Sequence, residues 1–132
     1  MIVLTYAPEF HSAIWSGRKT STIRPPGRCK PGDELSHRKW DGVPYRKGVK
    51  QIELRSAVCT HVTPIELSLD ADGYLVAVLR PGTEEWHRLG PGTMLALAIQ
   101  EGFDNAAHMR DWFVKNAKLK PGIVIEGEQI QW

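Results

Sequence analysis

Apolar and polar positions change period several times along this chain, and each change predicts an element. Met1 to Tyr6 is apolar and β-prone, and Pro8 follows where a first helical residue tolerates a missing amide hydrogen. Phe10, Ala13 and Ile14 then recur at helical spacing beside Trp15, and Gly17 supplies the left-handed residue that ends a helix. Lys19 to Arg24 reads as a strand, because the clash before Pro25 pushes Arg24 into an extended conformation. Side chains alternate in such a segment, so Thr20, Thr22 and Arg24 share one face while Ile23 turns towards a core.

Pro25 to Asp33 is dense in turn formers and predicts a surface loop leading to a strand near Glu34 to Trp40. Asp41-Gly42 is a turn signal, and residues 36–48 read as a mobile hairpin. Val49 to Val62 alternates, with Ile52, Leu54 and Val58 on one face and Glu53 and Arg55 on the other, which predicts a half-buried strand ended by Pro64. After the Asp72-Gly73 turn, Tyr74 to Leu79 is a short apolar run that suits a strand covered on both faces. The segment Thr93 to Gly102 predicts a buried helix through Glu101, with Thr93 as N-cap and Gly102 past its end. Asp104 caps a further helix with Ala106, Met109, Trp112 and Phe113 on one side, and a last strand runs from Ile123 towards Trp132. Strands lie on both sides of the helices without a βαβ rhythm. That argues an α+β fold, a mostly antiparallel sheet or small barrel with helices beside it, in a single domain over residues 1–132.

Charge modifies this picture. The net value is +2, yet residues 1–50 hold ten Lys or Arg against four Asp or Glu, whereas the rest hold seven against eleven. A basic front half suits phosphate-bearing or polar partners. Cys29 and Cys59 are the only cysteines and form no Cys-x-x-Cys pair, and the histidines at 11, 37, 61, 87 and 108 make no motif, so neither a zinc site nor a histidine triad is expected. Met1 to Leu4 lacks the flank and length of a signal sequence, and no segment reaches the apolar length of a membrane span. These readings predict a cytoplasmic protein with reduced thiols and no membrane partner. Of the tryptophans, Trp15 and Trp112 fit packing on helix faces, while Trp40 and Trp86 lie in polar contexts that could line a cleft.

Two candidates for chemistry stand out. Lys19 follows Gly17 closely enough to reach the face that carries Thr20, Thr22 and Arg24, and a desolvated lysine can lose its proton and activate a threonine hydroxyl. Glu101 sits in the last turn of a predicted helix, where a carboxylate faces the negative end of the macrodipole, a local conflict of the kind found at functional residues.

The run Ser16-Gly17-Arg18-Lys19-Thr20-Ser21-Thr22-Ile23-Arg24 resembles the signature of the ASCH domain family. Cys29-Lys30-Pro31-Gly32-Asp33-Glu34-Leu35 resembles the family's second element, and Glu101-Gly102-Phe103 with Met109, Trp112 and Phe113 its C-terminal helical element. The resemblance implies a PUA-like fold, a small mixed or antiparallel β-barrel flanked by helices. It also implies one of three activities: hydrolysis of N4-acylated cytidine, RNA binding, or ribonuclease action. The small bacterial N4-acetylcytidine amidohydrolases resemble this chain most at its chemistry-bearing positions. On that resemblance Thr22 is the nucleophile, Lys19 its base, and Glu101 the carboxylate that orients the lysine or handles the leaving amine's proton. Arg18, Thr20, Arg24, Arg28 and Lys30 are the expected substrate-binding residues, and no metal or other cofactor is implied. Ser21 departs from the pattern, since many members place an apolar residue there. The expected partner is a small modified-cytidine substrate, with RNA as the alternative.

Overall fold

The apolar opening forms β1 (Ile2–Thr5) in a computed structural model that describes residues 1–82 and 84–132. A 3-10 turn at Pro8–Phe10 leads into α1 (His11–Ser16), which Gly17 closes at φ 79 by donating its N–H to the Ile14 carbonyl. Then come β2 (Ser21–Arg24), β3 (Glu34–Trp40), β4 (Gln51–Val58), β5 (His61–Leu69), β6 (Leu75–Leu79) and the short β7 (His87–Arg88). The chain continues through α2 (Pro91–Gln100), α3 (Ala106–Asn116) and β8 (Ile125–Gln131).

The described strands form two sheets. In the first, β3 is central, pairing parallel with β1 and antiparallel with β4. The second is antiparallel and runs β2-β8-β5-β6-β7. This is an α+β fold, and among the described residues its ladders make two sheets rather than one closed ring. Leu4 and Leu35 from the first sheet, Ile65, Leu67 and Ile130 from the second, Ile14 from α1 and Met109 from α3 are all essentially inaccessible and join one hydrophobic core. Burial of each such side chain is worth about 1.5–3 kcal/mol, so this core is the main reason the sheets hold together.

Several boundaries differ from expectation for local reasons. The alternating stretch is two strands: β4 ends at Val58 and β5 begins at His61. Pro64 lies inside β5, not at the end of a strand. It sits one position beyond the β5–β6 ladder, which starts at Ile65↔Leu79, so its missing N–H removes no rung, while its carbonyl accepts from Arg80 (3.1 Å). The β3–β4 connection is residues 41–50 rather than 36–48, because Ser36 and His37 are buried within β3. Helix α2 starts at Pro91 with Gly90 as N-cap, proline being the better first helical residue, and Thr93 merely returns its hydroxyl to the Gly90 carbonyl (3.1 Å). Asn105, not Asp104, caps α3, its side chain accepting from the His108 amide (2.8 Å). Among the described residues, no helix is long and apolar enough to cross a membrane.

Candidate active site

Main-chain ties bring the candidate residues together. After the Gly17 turn the Lys19 amide donates to the Ala13 carbonyl (3.0 Å) and the Thr20 amide to the Gln100 carbonyl (2.9 Å), fastening the approach to β2 onto α1 and the end of α2. The Trp132 amide donates to the Thr20 carbonyl (3.2 Å), adding the C-terminus to the same junction. Lys19 is therefore driven inward beside Glu101, and both are nearly inaccessible at 3% and 2%. Gly102 (φ 93) permits this approach, for a Cβ there would lie 3.1 Å from Lys19 Cδ. Gly102→Ala is expected to cost about 1–3 kcal/mol, from a left-handed backbone and crowding of the lysine stem, and urea denaturation would check it.

The result is a cavity of about 270 Å³ lined by Lys19, Thr22, Arg24 and Glu101 together with Tyr6, Phe10, Phe103 and Trp112. Lys19 Nζ donates to the main-chain oxygen of Glu101 (2.5 Å) and lies 4.8 Å from the Phe10 ring centroid. Glu101 Oε2 accepts from Ser21 Oγ, which accepts from Gln129 Nε2 (3.2 Å). Thr22 Oγ1 accepts from Arg24 Nε (3.1 Å), while Arg24 Nη2 donates to the Thr5 carbonyl (2.7 Å). The guanidinium carbon of Arg24 lies 4.8 Å from the Tyr6 ring centroid, and Tyr6 Oη is 2.8 Å from His37 Nδ1.

Burial governs the protonation states. It lowers Lys19 to about 8, with Arg24 adding to the shift and Glu101 opposing it. Burial also raises Glu101, against the pull of Lys19 and the Ser21 hydrogen bond. Lys19 and Thr22 line one cavity, and among the described residues they make no direct hydrogen bond, Nζ donating to the Glu101 main-chain oxygen and Thr22 Oγ1 accepting from Arg24. A buried amine lowered to about 8 and a threonine are the group types that proton abstraction and covalent catalysis use.

The other expected binding residues are placed differently. Thr20 precedes β2 and is half-buried, contributing its backbone to the junction rather than its hydroxyl to the cavity lining. Arg18, Arg28 and Lys30 are exposed and line none of this cavity. The loop after β2 is turned outward by bonds from the Gly27 amide to Glu128 (2.5 Å) and from the Lys30 amide to Asp33 (2.9 Å). The tryptophans divide differently from expectation. Trp15 is 69% exposed, because the short α1 buries only Ala13 and Ile14. Trp112 packs against the core as expected and also forms part of the cavity wall, with Nε1 donating to Glu9 (2.9 Å), and neither Trp40 nor Trp86 lines this cavity.

Sequence reasoning passed over Tyr6, His37 and Gln129, and saw in Ser21 only a departure from a pattern. Tyr6 and His37 meet because β1 runs parallel to β3 with Leu4 opposite His37, a pairing no local spacing announces. Ser21 carried the one usable signal, a hydroxyl where an apolar residue was expected. The chain matches no protein-family model, no curated protein and no solved structure.

Proposed function

We propose that this protein is an ASCH-type amidohydrolase that removes the acyl group from N4-acylated cytosine nucleosides, without a metal. The observation that carries the proposal is that the buried Lys19, its amine lowered to about 8, and Thr22 line the same cavity. The aromatic rings of Phe10, Phe103 and Trp112 suit a flat heterocycle, and the cavity's cations and its carboxylate would address the polar edge and the acyl group. A PUA-like barrel, to which the two sheets would belong, is part of the same proposal.

In this mechanism Thr22 Oγ attacks the acyl carbon and its proton passes to the neutral Lys19 amine. The carbonyl π pair moves onto the acyl oxygen, then returns as the C–N4 bond breaks, and the leaving N4 takes the proton from Lys19. Water next attacks the acyl-threonine ester, giving its proton to Lys19, and the expelled Thr22 oxygen recovers a proton from the same amine. Arg24, donating to Thr22 Oγ1, stabilises negative charge on the nucleophile. Glu101 holds Lys19 through its main-chain oxygen and, with its carboxylate fixed by Ser21, sets the charge around the amine. The cavity's ionisable groups include only one carboxylate beside Lys19 and Arg24, a donor set that disfavours a bound cation. An RNA-binding module or ribonuclease would draw on Arg18, Arg28 and Lys30, but leaves the buried lysine without a purpose.

The pH profile tests the base. Lys19 acts as the free amine, a minority species below its pKa of about 8. Therefore kcat/KM for N4-acetylcytidine is expected to rise about tenfold per pH unit on the acid side and to level off above about pH 8. A flat profile through this region would remove Lys19 from the base's role.

A further inference from the structure

We infer that Tyr6 is a further catalytic residue, its hydroxyl donating a hydrogen bond to the acyl oxygen of the substrate while His37 holds the phenol oxygen in place. This inference rests on the amidohydrolase reading. Tyr6 follows β1 and lines the cavity, and its Oη lies 2.8 Å from His37 Nδ1. His37 is wholly buried, and among the described residues its Nε2 has no hydrogen-bond partner.

That unpartnered nitrogen fixes the direction of the Tyr6–His37 bond. A proton on Nε2 would be a buried N–H without an acceptor, and orphaned donors are rarer in folded proteins than under-used acceptors. The ring proton therefore belongs on Nδ1, from which it is donated to Tyr6 Oη. A phenol has one proton to give, and with its oxygen already accepting from His37 that proton is available to the cavity.

Arg24 has committed Nε to Thr22 and one Nη2 hydrogen to the Thr5 carbonyl, and Lys19 is occupied as the base, so the Tyr6 hydroxyl joins the remaining guanidinium hydrogens as a donor to the acyl oxygen. Burial holds His37 down to about 4 and keeps Tyr6 well above the usual phenol range, so both remain neutral at working pH. As Thr22 oxygen bonds to the acyl carbon and the π pair collects on the acyl oxygen, Tyr6 donates a hydrogen bond without giving up its proton. When the C–N4 bond breaks, the pair returns to the carbonyl and the hydrogen bond relaxes. Tyr6 thus supplies an oxyanion donor and His37 is its positioning residue.

The test uses Tyr6→Phe, His37→Leu and His37→Asn on N4-acetylcytidine, with histidine ¹⁵N NMR on the parent protein. Tyr6→Phe is expected to lower kcat by about 100- to 1,000-fold with little change in KM. His37→Leu should also lower kcat, and His37→Asn, which offers an amide N–H near the Nδ1 position, should recover at least about tenfold over leucine. The NMR spectrum should show the His37 proton on Nδ1, the resonance being assigned by its loss in His37→Asn. An active parent with Tyr6→Phe at parental kcat, or a His37 proton on Nε2, overturns the inference and leaves the amidohydrolase reading standing. An inactive parent overturns the reading, and this inference with it, before any variant is made.

Discussion

Lys19→Arg is expected to lower kcat for N4-acetylcytidine by about 10⁴-fold or more, the scale seen when one member of a nucleophile–base unit is lost. A guanidinium keeps its proton throughout the accessible pH range, so the variant retains charge and loses the base. The position makes the effect severe. Lys19 is 3% exposed and its stem lies against Gly102, so the planar fork of arginine also cannot settle where the amine was. Lys19→Met separates the two causes, because it keeps an unbranched stem, adds no permanent cation beside Arg24, and should fold with a melting temperature near the parent's. Equal loss of kcat in both variants assigns the effect to proton transfer. Near-parental turnover in Lys19→Arg would remove the base from the mechanism.

Thr22→Val is expected to be as damaging, since valine keeps the branched shape and lacks the attacking oxygen. It also deprives Arg24 Nε of its acceptor, which should cost about 1–3 kcal/mol of stability, visible by denaturant titration. Thr22→Ser is the discriminating partner: the hydroxyl remains and only a methyl is lost, so turnover should stay within about 100-fold of the parent. A Thr22→Val, Lys19→Met double variant should be little slower than the slower single one, because the two residues act as one unit. Valine turning over substrate as fast as serine would make Thr22 a wall of the cavity and nothing more.

What was legible in the sequence follows from where each signal is written. The Gly17 turn, the extended run before Pro25 and the glycine after α2 are local backbone effects, and they placed Thr22 correctly on β2, whereas Lys19 lies two residues before that strand and Glu101 is the C-cap of α2 rather than part of its last turn. Capping was misread by a few positions: Pro91 takes the first helical place of α2 and leaves Gly90 as its cap ahead of Thr93, and Asn105 holds the cap of α3 that its equally able neighbour Asp104 was expected to fill. Long-range pairing was not legible. Nothing near His37 points to Tyr6, and nothing near Gln129 points to Ser21, because those meetings depend on β1 lying parallel to β3 and β2 antiparallel to β8. The basic residues show the converse error. Arg18, Arg28 and Lys30 are close to Lys19 in sequence, yet Arg18 is exposed in the segment before β2, Arg28 and Lys30 are exposed on the loop after it, and none of the three lines the cavity.

The most direct measurement follows the purified protein and N4-acetylcytidine over time by chromatography, with acetate detected separately and a structured RNA incubated in parallel. Cytidine and acetate are expected in equal amounts, with the reaction persisting after prolonged chelator treatment and the RNA left intact. Unchanged N4-acetylcytidine, with RNA either cleaved or bound with an affinity that falls steeply as salt rises, would contradict the amidohydrolase reading and make the surface cations, rather than Lys19 and Thr22, the functional residues.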